Sequence, residues 1–256
     1  MSLAVPTLTL IFLLAPGVSY RYAYYSGAFS QQYFKTSFSD LLIAAILPAV
    51  IIHAILFYCV VQHYYEIDSK TIGVLLSGIT EPANVKAAFS NLYYNAKEIY
   101  IYLAGASILA AAAGAAIRSL VRGLRIDRIW EPLRFQNRWH YLFTGEILDF
   151  PGQLGSPEEV DFVYVDALVD CDEGSVLYSG ILADHILSKD GGLDRIYLSY
   201  TKRRYLKEND KEGMKYYSMP GNLFVIPYSK ILNLHITYYS FEDANSELVS
   251  KVDKGS

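Results

Sequence analysis

The run Leu41–Val61, LLIAAILPAVIIHAILFYCVV, contains no Asp, Glu, Lys or Arg, and it limits the fold more than any other feature. A helix that is apolar on every side needs either a protein core around it or lipid. A bilayer core about 30 Å thick takes about 20 such residues. A second run, Ile99–Ile117 (IYIYLAGASILAAAAGAAI), is also uncharged and is bounded by Lys97-Glu98 and Arg118. A third, Leu3–Tyr20, is shorter and carries Pro6 and a Pro16-Gly17 pair, so spanning, tilting and re-entry are all open to it. It has no basic n-region before it and no clean small-residue cleavage site after it, so it reads as a membrane segment rather than a secretory leader.

Charge divides the chain at the same place. Residues 1–117 hold 5 of the 22 Lys+Arg and 5 of the 26 Asp+Glu. Residues 118–256 hold the other 17 and 21, and with them the whole net charge of −4. One soluble globule, a disordered chain and a nucleic-acid binder driven by net positive charge are therefore excluded. The expected organisation is α+β: a membrane domain over 1–117 with two to three transmembrane helices (near 3–20, 41–61 and 99–117), a basic juxtamembrane helix or linker over 118–138, and a β-rich domain over 139–256.

Basic residues flanking the spans set the orientation. Arg118, Arg122, Arg125, Arg128, Arg134 and Arg138 follow the last span, whereas Lys70, Lys86 and Lys97 are the basic residues between the second and third. The bias places the C-terminal domain in the cytoplasm, in a protein of bacterial inner-membrane type. Twelve of the 23 tyrosines precede residue 118, ten of them in clusters at Tyr20–Tyr25, Tyr64-Tyr65, Tyr93-Tyr94 and Tyr100–Tyr102, where an interfacial belt accounts for them. If Arg118, Arg122 and Arg125 share one helical face (with Arg128 beyond it), that face can meet anionic headgroups as well as orient the protein. A helix through them is expected to end near Trp130-Glu131, ahead of Pro132.

Within the last span, Ala106, Ala110 and Gly114 form one small-residue row and Ser107, Ala111 and Ala115 another. Such rows let helices approach closely, here either between subunits of a homo-oligomer or against the chain's own second span; the oligomer is the preferred expectation. His53 lies mid-span after Pro48. It is a candidate functional residue by position, for a proton or ion path or a lipid- or quinone-like ligand; the plainer alternative is a neutral imidazole bonded to a neighbouring backbone.

Downstream, short β-like runs alternate with turn residues. Asp161–Val169 and Val176–Leu182 flank an acidic turn at 170–174. Ile186-Leu187 and Leu193–Tyr200 flank a hairpin turn with Gly191-Gly192, and Asn222–Pro227 and Ile231–Tyr239 flank Tyr228-Ser229-Lys230, which suits one 3₁₀ turn. An earlier strand is expected over Trp139–Leu148. Five or six short strands imply a small closed or half-closed barrel.

The ending FVIPYSKILNLHITYY resembles the last two strands and connecting turn of SH3-like or PRC-type barrels. The layout resembles bacterial membrane proteins with a few spans and a small cytoplasmic β domain. The resemblance implies a binding or scaffolding module without catalytic machinery, and it does not fix the ligand.

Motifs for chemistry are missing from the sequence: no HExxH, GxxxxGK[ST], GxGxxG or GxSxG. Cys59 and Cys171 read as free thiols. Asp166, Asp170, Asp172 and Glu173 do not have calcium-loop spacing and read as a solvated turn. Lys202-Arg203-Arg204, followed by Lys207, Lys211 and Lys215 among tyrosines and diluted by Glu208, Asp210 and Glu212, is a candidate ligand or partner surface. It could meet nucleic acid, a nucleotide or a membrane surface. The sequence thus points to a membrane sensor or adaptor that assembles a complex through its β domain, without an expected cofactor and with defence or stress response as one setting. An oligomeric pore gated by that domain is the alternative, and a membrane enzyme comes third.

Overall fold

The computed structural model describes residues 4–30, 37–61, 69–77, 81–135, 137–171, 174–188, 191–206 and 216–242. Leu3, Tyr64-Tyr65, Asp172-Glu173 and the Lys207–Lys215 part of the basic stretch lie outside the described residues. The chain forms two compact units: Met1–Ser26 with Thr36–Leu124, and Gly27–Lys35 with Arg125–Ser256. The division therefore falls at Leu124/Arg125, and much of the expected juxtamembrane linker is part of the second unit.

The first unit is helical: α1 (Ala4–Tyr24), α2 (Phe38–Leu56, continued by a π turn over Phe57–Val61), α3 (Ser69–Ser77), α4 (Pro82–Tyr94) and α5 (Ala96–Gly123). Helix α2 starts where the Ser37 hydroxyl accepts from Asp40 N–H at 3.2 Å and donates to its carboxylate at 2.7 Å, a reciprocal cap. Two helices, Phe38–Cys59 and Ala96–Gly123, are long and apolar enough to cross a membrane. Helix α1 runs unbroken through Pro16-Gly17 and packs against both α2 and α5. Gly17 makes the first of these approaches: a Cβ there would lie 2.1 Å from the Ala45 carbonyl oxygen.

The second unit is an antiparallel sheet of six strands: β1 (Phe162–Cys171), β2 (Gly174–Leu187), β3 (Leu193–Tyr205), β4 (Tyr217-Ser218), β5 (Phe224–Pro227) and β6 (Ile231–Tyr239). Its order is β4-β3-β2-β1-β6, with β5 also on β3. The expected barrel is not closed. The 3₁₀ turn Tyr228–Lys230 carries the chain from β5, on β3, to β6, on β1, and no β5–β6 ladder forms among the described residues. Strand β1 alternates strictly, with Val163, Val165, Ala167 and Val169 buried, the pattern of a strand with one face on a core. Gly180 stands opposite Tyr200-Thr201 at a bulge, where Tyr200 takes φ 51°; bulges of this kind sharpen the twist of a hairpin.

The run Trp139–Leu148 is helical rather than extended. Helix α6 (Ile126–Ile129) precedes α7 (Arg138–Phe143), and a 3₁₀ turn covers Glu146–Asp149. The Asn137 side chain caps α7 by accepting from His140 N–H at 3.1 Å, and Gly145 follows at φ 75°, where glycine carries no Cβ strain. Trp139, Leu142 and Phe143 then pack on the open sheet, joining Ile196, Leu198 and Ile226 in its core. Tyr238 O–H donates to the Leu142 carbonyl at 2.7 Å, which pins β6 to this cover.

Candidate functional site

The residues singled out in the sequence fall into three places. In the helical unit, Ala106, Ala110 and Gly114 are buried on α5. Their row is filled within the chain, by α1 rather than by the second span: a Cβ on Gly114 would lie 2.3 Å from the Tyr20 carbonyl oxygen. Ala45 and Ala49 play the same part on α2. Ile43, Leu47, Ile55, Ile108 and Leu109 face outward and are exposed. Small residues inside and large apolar residues outside is the arrangement of helices packed in lipid.

His53 sits where α1, α2 and α5 meet. Its Nε2 lies 2.8 Å from the Leu13 carbonyl and its Nδ1 2.6 Å from the Tyr102 hydroxyl. A carbonyl only accepts, so Nε2 carries the donated proton; with the ring neutral, Nδ1 accepts from Tyr102. Pro16 has no N–H to offer the Phe12 carbonyl, its i−4 acceptor in α1; the imidazole reaches the next carbonyl along, that of Leu13, from a neighbouring helix. The contact with the Leu13 carbonyl is the kind of backbone partner that the plainer reading of His53 expects.

The arginines from Arg118 onward are mostly engaged by protein. Arg118 donates to the Ala23 and Ser26 carbonyls at 3.2 and 3.0 Å and to the Ser26 hydroxyl, satisfying acceptors at the end of α1. Arg122 lies in the last turn of α5, but the helix stops at Gly123 and Arg125 takes φ 56°, so Arg125 does not continue the Arg118/Arg122 face. The long helix is broken there, and a separate short helix over Ile126–Ile129 follows it instead of one helix to Trp130. Arg125 binds Glu158 at 2.7 Å, which raises its pKa further. Arg128 is nearly buried between Glu146, at 3.3 Å, and Asp149. Tyr141 completes this local frame, donating to buried Asp127 at 2.7 Å and accepting from Phe135 N–H at 3.1 Å.

The third place is the sheet face away from the core. Strand alternation splits the basic triad. Arg203 stands across from Tyr178, on the core side, whereas Lys202 and Arg204 stand across from Ser179 and Leu177 on the other face. Along that other face, register aligns His235, Asp166, Ser179, Lys202 and Ser218 on five successive strands, with neighbouring Cβ atoms about 5 Å apart. Ser179 is buried and donates to the Asp166 carboxylate. Tyr164 lies beside both. Burial, and after it the Asp166 charge, push its hydroxyl above the usual tyrosine range, with a Ser179 hydrogen bond opposing, so it stays a neutral donor. The Arg204 guanidinium lies 5.6 Å from the Tyr216 ring centre, and the Tyr239 ring packs against Phe162 and Tyr164. Two cations, hydroxyl donors and aromatic faces can together hold an anionic group and a flat one.

The sequence reading missed Tyr164, Ser179 and His235. The signal was available only through strand register, because these residues are far apart in the chain. Of the acidic cluster, Asp166 belongs to this row while Asp170 is exposed near the β1–β2 turn. Among the described residues no group of three or more His, Cys, Asp or Glu side chains is placed to hold a metal ion. In comparisons with known proteins the chain matches no family model, no curated protein and no solved structure.

Proposed function

We propose that this chain is an integral membrane adaptor or sensor. Helices α2 and α5 cross the bilayer, and the sheet unit, on the cytoplasmic side of a bacterial inner membrane, recruits a partner or ligand bearing negative charge through the Lys202/Arg204 face. One observation carries the membrane assignment. Only 11% of the most apolar stretch of α2 and 17% of that of α5 are buried, although both are long apolar helices. The core helix of a soluble protein would be mostly covered, so the exposed surface calls for lipid. The sheet's strand order, with a 3₁₀ turn between its last two strands, is in keeping with the SH3-like resemblance of its ending and favours a binding module. A pore lined by the small-residue row of α5 has less support, because α1 occupies that row.

The experiment uses the exposed cysteines. Expressed in bacteria, the chain should stay with membranes through alkaline carbonate washing. A Cys59→Ser protein should react at Cys171 with an impermeant maleimide in inverted vesicles and not in intact cells. Release by carbonate would overturn the spanning helices, and labelling of Cys171 in intact cells would overturn the orientation.

A further inference from the structure

Strand β6 ends one side of the sheet, and among the described residues its strand partner is β1 alone. The opposite side ends in β4, two residues long, and β5, four residues long and closed by Pro227. Short strands and proline are the usual protection of an edge against strand addition. Among the described residues, β6 beyond its bulge at Leu232 has neither device. Its sequence, ILNLHITYY, has no Asp, Glu, Lys, Arg or Pro, and Leu232, Asn233 and His235 are exposed. The chain beyond it turns back toward β1, where Phe241 N–H donates to the Asp161 carboxylate at 2.7 Å. Leu232 forms a bulge, since Leu168 pairs with Asn233 and Val169 with Ile231; the regular ladder begins at Asn233.

We infer that this edge joins two copies of the chain, β6 against β6 in antiparallel pairing, with His235 opposite its counterpart. About that centre the strand is complementary to itself. Leu234 falls opposite Ile236 on the core side, and Asn233 opposite Thr237 on the other face, which pairs apolar with apolar and polar with polar. A shift by one residue exchanges the faces, and a shift by two sets Asn233 against Tyr239 and His235 against Thr237. The uncharged edge offers nothing to select an acidic or basic foreign peptide, and it brings no like charges together when it meets itself. This interface is separate from the small-residue row, which α1 already fills, and it does not depend on the membrane assignment.

Charge exchange at His235 tests it in the purified full chain. Light scattering should give a dimer for the native chain, monomers for His235→Lys and for His235→Glu separately, and a dimer again when the two are mixed. A His235→Cys chain with Cys59→Ser and Cys171→Ser should form an intermolecular disulfide on mild oxidation. A native monomer, a dimer unaffected by either charge, or a mixture that stays monomeric would each overturn the inference. So would absence of the disulfide, which needs no added charge and therefore stands apart from any loss of folding in the charged variants.

Discussion

His53 and Tyr102 are stacked across two helices, their ring planes 24° apart and the imidazole Nδ1 2.6 Å from the phenol oxygen. The same imidazole reaches Leu13 on a third helix. Polar contacts of this kind between membrane helices contribute about 0.6 kcal/mol each, rising to about 1.7. His53→Ala removes two of them and should cost about 1–3 kcal/mol, with Tyr102→Phe costing less. Thermal unfolding in detergent measures both; a His53→Ala midpoint equal to that of the native chain would show that the bridge holds nothing.

Gly114 and Gly105 lie on the same helix in opposite situations. A side chain at Gly114 collides with the backbone of α1, whereas a Cβ at Gly105 meets nothing within 4 Å. Gly114→Leu should therefore destabilise the helical unit by about 3 kcal/mol or more through overpacking. Gly105→Leu should be neutral or slightly stabilising, since glycine is the poorer helix former by roughly 0.5–1 kcal/mol. Limited proteolysis of the two variants in membranes should separate them clearly.

Arg128 neutralises two carboxylates that no solvent reaches freely. Arg128→Ala leaves Glu146 with His140, 3.7 Å away, and Asp149 with the more exposed Arg125, 3.8 Å away. Uncovering a paired charge in this way costs about 3–5 kcal/mol when the site is buried, and somewhat less at this partly open one. Chemical denaturation followed by circular dichroism should show a lower midpoint for Arg128→Ala and a smaller loss for Arg128→Lys.

His185 packs edge-on against Phe143. Burial lowers its pKa, as does His140, while Asp184 opposes them. In the unfolded chain the ring takes up a proton near pH 6.5; in the folded chain it does so only at lower pH. Its contribution to stability is therefore complete above about pH 6.5 and is lost as pH falls from there through the folded value. Denaturation midpoints between pH 7.5 and 5 should fall for the native chain. A His185→Phe chain should show a shallower fall, and an identical slope would refute the assignment.

Much of the sheet was legible in the sequence because its turns are local. The Gly174 and Gly191-Gly192 turns and the 3₁₀ turn at Tyr228–Lys230 bracket strands whose alternation is plain. Trp139–Leu148 was misread because its aromatic and aliphatic residues suit a strand, while the Asn137 cap and the left-handed Gly145 that define a helix there are single residues. Barrel closure depends on whether two distant edges bond, and periodicity carries no information about that. The partner of the Ala106/Ala110/Gly114 row was equally hidden: smallness shows that a helix comes close, not which one. The row of His235, Asp166, Ser179 and Lys202 needed register across four strands before it became a site at all.

The central place of α1 bears on how the protein is made. Its residues leave the ribosome before those of α2 and α5, yet the imidazole that bonds its Leu13 carbonyl is on α2, and the glycine that admits its backbone is on α5. Until both have been synthesised, α1 has an uncovered face. Helix α1 is thus the last of the three packed helices to be settled, and a ribosome-bound chain cut before Gly114 should hold it in a protease-sensitive state.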